Sequence, residues 1–313
     1  MSTPAHLALV SLVCVVGIGA CASSPPPPAA TPIMSDPVKA ATAPPETITP
    51  PVAVAAPPPA ATPPTGPRPA AAILADAVKG IGGEAALNAH TTMRMKLDVT
   101  FQGMGISGSI ERLVTSSGKM LVTTDVPGNG TSREGTNGTA FWADDPINGL
   151  RAVTGAEAEL LRIDASFCPE LHATLLFKTV TSKSDTSPTG APLECAVLTP
   201  KEGSAITNCY DPTTHLQVIQ KGTHTTPQGE SPFTTVIKDY RSVGGIQIPF
   251  ALDTQEGPFT FTMRVLDVKL DTPLDDKQFD MPRAEATAPA GKGGGKPQGN
   301  AAKPASKKAS KKP

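Results

Sequence analysis

From Ala22 to Ala70 the chain is dominated by Pro, Ala and Thr, with proline densest at Pro25-Pro26-Pro27-Pro28 and Pro57-Pro58-Pro59. Proline has no amide hydrogen and a fixed φ, so such a stretch forms neither helix nor sheet ladder. It is expected to be a semi-rigid tether reaching ~140 Å at most, at ~3.1 Å per residue over ~45 residues. The far end is as poor in core-forming residues. Ala284 to Pro313 holds no large apolar side chain and sets Lys292, Lys296, Lys303, Lys307, Lys308, Lys311 and Lys312 against Glu285 alone. Like charges repel, so a disordered Lys-rich tail is expected over 284–313. Folding is thereby confined to 71–283, a length that suits one β-rich domain. Aromatics make up 4% of the chain, so its core must be mainly aliphatic. The formal net charge of −1 conceals an acidic folded part and a basic tail.

Ahead of the tether, Leu7 to Ile18 is an apolar run of 12 residues, short of the roughly 20 that a bilayer-spanning helix needs. It closes on Ile18-Gly19-Ala20-Cys21. A branched apolar residue, two small residues and a cysteine resemble the lipobox of bacterial lipoproteins. The resemblance implies a lipoprotein signal peptide over 1–20, and Cys21 as the first mature residue with acyl chains such as palmitate attached. Two or more chains anchor stably, each buried methylene contributing roughly 0.8 kcal/mol. Ala22, rather than Asp, follows the cysteine, which favours the outer membrane, with the domain facing the periplasm. A secretory signal cut elsewhere and a retained anchor are the other readings of this segment. The segment 21–70 would then be a lipidated tether. Behind a signal peptide, the basic tail suits anionic envelope polymers or lipid headgroups rather than nucleic acid.

Within 71–283 the helical period gives way to strand alternation after residue 89. Leu74, Val78 and Ile81 fall on one helical face, and the segment 71–89 reads as helix broken at Gly80 or Gly82-Gly83. Met93, Met95, Leu97, Val99 and Phe101 then alternate with Thr, Arg, Lys, Asp and Thr, the pattern of a half-buried strand. Gly103 and Gly105 around Met104 predict a turn or bulge. Further strands are expected at Ile106–Val114, Met120–Val126, Thr139–Ala143, Ala196–Thr199, Leu216–Gln220, Phe233–Tyr240, Ile246–Leu252 and Phe259–Leu270. A bulge should separate Val265 from Val268 in the last. Asn129-Gly130 and Asn137-Gly138 predict tight hairpin turns with positive φ at both residues. Asp144-Asp145-Pro146 reads as a strand end. Thr154 to Glu157 has the spacing of a capping box, S/T-x-x-E, opening a helix through Leu160, Leu161 and Ile163. Pro169 would interrupt that helix or start another. Long alternating strands and few helices argue for a curved antiparallel sheet wrapped around helices.

Cys195 and Cys209 flank a hairpin loop centred near Glu202, which would set them opposite each other and favours a disulfide. Three unpaired thiols, or a pairing with Cys168, are the other possibilities. No two histidines, and no His with Cys, have metal-ligand spacing, and no phosphate loop or nucleophile elbow occurs. Cys168 and His172, at i and i+4, would share a face only if helix ran through Pro169. No catalytic residue, metal or cofactor is expected, and the chain reads as a non-enzyme.

Four stretches carry a wider resemblance: ILADAVKGIGGEAAL (73–87), GTSREGTNGTAFWADDP (130–146), DYRSVGGIQIPF (239–250) and FTFTMRVLDVKLDTPLDDKQFDMP (259–282). Together they resemble the bacterial outer-membrane lipoprotein-sorting-like family, related in fold to the lipoprotein carriers LolA and LolB. The resemblance implies a mainly β domain with some helix: an incomplete antiparallel β-barrel whose open side is capped by helices. It implies an apolar half-barrel cavity for a lipid, acyl chain or lipoprotein. Met93, Met95, Leu97, Val99, Phe101 and Met104 are the candidate lining, since flexible thioethers suit varied chains. Anchoring through Cys21 fits a receptor better than a shuttle. The alternative is a non-catalytic structural lipoprotein that engages the envelope through tether and tail.

Overall fold

A computed structural model describes residues 66–283; Cys21, the signal segment, nearly all of the tether and the Lys-rich tail lie outside them. Helices α1 (Ala70–Gly80) and α2 (Gly83–Asn88) lead into strands β1 (Thr92–Phe101), β2 (Ile106–Thr115), β3 (Met120–Val126), β4 (Gly130–Thr136), β5 (Phe141–Asp145) and β6 (Gly149–Ala152). Helices α3 (Gly155–Asp164) and α4 (Ala173–Leu176) follow. Then come β7 (Phe177–Thr186), β8 (Pro192–Pro200), β9 (Ile206–Tyr210), β10 (Gln217–Thr226), β11 (Gly229–Val243), β12 (Ile246–Glu256) and β13 (Phe259–Leu270). All thirteen strands form one antiparallel sheet in the order 6-5-4-3-2-1-13-12-11-10-9-8-7, with β6 and β7 as free edges.

Every hairpin pairs sequence neighbours, and a single long-range pairing, β1 with β13, joins the two halves. The fold is therefore mainly β and unclosed, an incomplete antiparallel barrel. Its curvature is visible in two contacts. Helix α3 packs against both β4 and β10, which are far apart in the sheet order. Gln228 Nε2, in the β10–β11 turn, donates to Asn148 Oδ1, in the β5–β6 turn, at 3.0 Å. The sheet bends enough to bring these turns together while its edges stay apart in pairing.

The alternation in β1 becomes a buried inner row. Its register with β13 shifts between Lys96 and Leu97, which pair with Asp267 and Val265. Leu266 is the extra residue and points out, 61% exposed. The bulge lets Phe261, Met263 and Val265 stay on the inner face before the alternation resumes at Val268.

Several local expectations are corrected. At the Asn-Gly pairs only the glycines take positive φ, Gly130 at 93° and Gly138 at 90°. Asn137 instead accepts the amides of Thr139 and Ala140 through Oδ1, an Asx turn in a longer connection. Thr154 makes no side-chain cap on α3. Glu157 turns away from the helix start to a paired hydrogen bond with Arg151, so ion pairing displaces the capping box. Asp144 and Asp145 belong to β5, and Asp145 Oδ1 caps the following turn through the amides of Ile147 and Asn148. Strands β4, β6, β7 and β9 have no counterpart among the expected strands; β7, as an edge strand, is wet on both faces, with Lys, Ser and Thr throughout, so no apolar alternation marks it.

Candidate functional site

The inner face of the sheet is one aliphatic surface. Met93, Met95, Leu97, Val99 and Phe101 are each 3% exposed or less. They join Val114, Met120, Val122, Ile237, Ile248, Leu252, Phe261 and Met263 in a single cluster. At 1.5–3 kcal/mol per buried large apolar side chain, the β1 row alone contributes on the order of 10 kcal/mol. Met104 is not in this cluster. Gly103 and Gly105, with φ of 73° and 66°, turn the chain past the strand ends, and Met104 stands 39% exposed at the tip.

What covers the face is a helical layer. Val78 and Leu87 come from α1 and α2 and Ile81 from the link between them, and Leu161, Ala165, Phe167 and Cys168 from α3 and the segment after it. The rest of α1 packs elsewhere, with Ile163, Leu176, Phe177, Leu198 and Ile206, over the β7–β9 side. The segment after α3 does not continue as helix through Pro169; it runs as turns to α4.

This cover is polar where it meets the sheet. Asp164, the last residue of α3, is 6% exposed. Burial pushes its carboxyl up to about 7, with the charge of Glu134 adding to the rise and Arg112 and His224 opposing it. Arg112 reaches the same corner from β2 and donates through Nη2 to the Asp164 carbonyl. His224, from β10, stacks on Phe233 with ring centroids 4.2 Å apart and bonds Glu256 through Nδ1 at 2.8 Å. A cavity of about 10 Å³ lies among Glu134, Glu157, Leu161, Asp164 and His224. That is close to the room one water needs.

A second polar group lies farther along the cover. Tyr210 donates to Glu170 Oε1 at 3.1 Å, and the Cys168 thiol approaches Oε2 at 3.7 Å. Burial pushes the Glu170 carboxyl up. It also pushes the Cys168 thiol and the Tyr210 phenol well above their usual ranges, and the nearby Glu170 charge adds to both. A thiol held this way is neutral and inert, the opposite of a nucleophile. Among the described residues no hydrogen bond joins Cys168 to His172; the cysteine's partner is Glu170. The amide of Gln217, 3% exposed, finds no side-chain hydrogen bond for either of its polar atoms, nor does Ser166 Oγ. Leaving such groups uncompensated costs about 1–3 kcal/mol each.

Cys195 and Cys209 stand directly opposite in the β8–β9 ladder and are joined by a disulfide, S–S 2.05 Å. Asp185 lies with both sulfurs inside 4.8 Å. Because the sulfurs are bonded to each other, this trio offers a metal no thiolate, and Asp185 pairs with Lys221 at 2.9 Å.

The polar groups of the cover are what sequence reading missed. Asp164, Glu170 and His224 come from separate elements, and nothing in their spacing announces that the fold assembles them beneath an aliphatic face.

No protein-family model matches the chain, and no curated protein matches it. Similar solved structures include a DUF1329 family protein from Desulfovibrio piger, 12% identical, with 68% of this chain and 97% of that chain aligned and a TM-score of 0.47. A LolA superfamily protein from Nitrosomonas europaea is 11% identical over 68% of this chain and 98% of its own, TM-score 0.45. An outer membrane lipoprotein-sorting protein domain from Vibrio parahaemolyticus is 9% identical over 61% and 89%, TM-score 0.41. Likenesses this distant carry no functional conclusion for the chain.

Proposed function

We propose that this protein is a non-catalytic envelope lipoprotein, anchored to the outer membrane through Cys21, that takes up a lipid, an acyl chain or the acylated end of a lipoprotein. The ligand would lie against the inner face of the sheet, between the β1 row and the α3 layer. One observation supports this most: an aliphatic face is closed by a cover whose buried polar groups are poorly compensated. Asp164 and Glu170 are carboxyls forced toward neutrality, and the buried side-chain amide of Gln217, on β10, has no hydrogen bond. A cover with these defects opens at a lower free energy than a continuous apolar core. Opening it exposes methionine and branched aliphatic side chains able to repack around an acyl chain. In this reading the bound molecule is held and released unchanged.

The test uses residues 22–313, which lack Cys21, exported behind a cleavable secretory signal so that the protein carries no acyl group. A dansyl-labelled fatty acid is titrated in, and energy transfer is followed from Trp142, the chain's one tryptophan. Saturable transfer at one ligand per chain is expected. A linear, unsaturable signal at all concentrations would contradict the reading.

A further inference from the structure

The aliphatic surface of the inner face gives way, toward β10, to a buried polar row. Strand register fixes which side chains share it. Phe101 on β1 lies opposite Phe261 on β13, and Phe261 opposite Thr254 on β12. Thr254 lies opposite Thr235 on β11, and Thr235 opposite Gln220 on β10. Residues directly opposite in an antiparallel ladder point to one face, and Phe101 and Phe261 belong to the inner cluster. The same wall is therefore aromatic at β1 and β13, hydroxyl at β12 and β11, and amide at β10. From Phe101 to Gln220 it crosses four inter-strand steps of about 4.8 Å, about 19 Å in all. Gln217 shares this face, because it pairs with Tyr210, whose hydroxyl reaches Glu170 in the cover.

Part of the row satisfies itself. The Thr235 and Thr254 hydroxyls bond each other at 2.9 Å, and Gln220 Nε2 donates to Asn208 Oδ1 at 3.0 Å. Tyr240 donates to the backbone carbonyl of Gln217 at 2.7 Å and leaves its side chain alone. The remainder is specific in kind. Gln220 Oε1 and both polar atoms of the Gln217 amide are buried without a hydrogen bond. The two residues are 1% and 3% exposed. An amide oxygen accepts and an amide nitrogen donates, so these atoms call for two donors and an acceptor. The charge that bears on the neighbouring Tyr210 and Tyr240 is acidic, that of Glu170.

We infer that Gln217 and Gln220 form the headgroup subsite of the inner face, and that the ligand is an uncharged acylglycerol whose chain runs toward β13 and β1. This rests on the reading of the inner face as a lipid site. A glycerol monoester carries two hydroxyls to donate to the two amide oxygens, and oxygens to accept from Gln217 Nε2. A carboxylate or phosphate ester anion brings acceptors in place of those donors, so amide oxygens stay unmet. Its charge would also be buried beside an acid. A simple alkyl ester meets the nitrogen and neither oxygen.

The experiment is displacement of the dansyl-labelled fatty acid from the 22–313 chain by compounds that share one oleoyl chain: 1-monooleoylglycerol, methyl oleate, oleate and 1-oleoyl lysophosphatidic acid. Monooleoylglycerol is expected to displace the probe at a concentration at least about tenfold below any of the others, since the others leave buried polar groups unmet. Gln217→Met keeps the length of the side chain and removes both polar atoms. It should abolish the preference, leave displacement by methyl oleate unchanged and not lower the urea midpoint. Equal displacement by all the compounds, or a preference for an anion, would overturn the headgroup subsite while the lipid reading stands. So would a preference that survives in Gln217→Met. A variant that unfolds, or melts at lower urea, would also overturn it, because the amide would then be bonded within the folded chain. A probe that never saturates would remove the lipid reading and this inference together.

Discussion

Replacing Asp164 by Asn should abolish the pH dependence that this carboxyl imposes on stability. In the folded chain burial raises the group to about 7, from an ordinary value of 3.8. Between those values the folded state holds the proton more tightly than the unfolded state. The contribution is therefore fully present below about pH 4, is lost as pH rises toward 7, and stays lost above it. Each pH unit between the two values corresponds to about 1.4 kcal/mol, so the whole loss is about 4 kcal/mol, of which roughly 2–3 kcal/mol falls between pH 5 and pH 8. Asparagine keeps the shape and cannot ionise. The bond from Arg112 survives, because it ends on the Asp164 backbone carbonyl. Urea unfolding of both proteins at pH 5 and pH 8 gives the comparison, with other titrating groups shared by the two. The stability of Asp164→Asn relative to the parent should rise by about 2–3 kcal/mol from pH 5 to pH 8. Parallel behaviour at the two pH values would show that Asp164 is solvated or paired, and the idea of a strained cover would fall with it.

Three further outcomes follow from the same packing. Removing the disulfide by Cys195→Ser with Cys209→Ser, across a separation of 14 residues, should lower stability by about 3 kcal/mol in urea melts, and an unchanged midpoint would contradict a structural role for the bond. A Cβ on Gly222 would lie 2.7 Å from the Phe233 ring, so Gly222→Val should lower the thermal midpoint and cost about 1–3 kcal/mol, whereas a neutral effect would mean the ring moves freely. Cys168, 2% exposed with its thiol pushed up, should resist a maleimide in the native protein and react once urea unfolds it; rapid native labelling would place it outside the core.

The strands that face water on one side were legible in the sequence, because alternation records the face directly. The β1 row, the bulge at Leu266 and the opposition of Cys195 and Cys209 across a turn near Glu202 all follow from counting by twos. Edge strand β7 was not legible, since exposure on both faces erases the alternation. The capping box at Thr154 shows a local motif losing to a partner three residues before it in sequence, Arg151, placed by β6. For the candidate site, the apolar row could be read and its cover could not. Asp164, Glu170 and His224 become neighbours of the inner face only when the sheet curls until α3 touches β4 and β10. Met104 shows the converse error: its residue type suited a lining, but flanking glycines carry it out to the rim.

The most direct test of the central proposal is native mass spectrometry of the 22–313 chain, purified from a periplasm without detergent and followed by lipid extraction. A fraction of the protein is expected to carry one lipid or acyl species, with full occupancy after exposure to added phospholipid or fatty acid. A clean unliganded mass that no added lipid changes would contradict the proposal and leave the inner face as core alone.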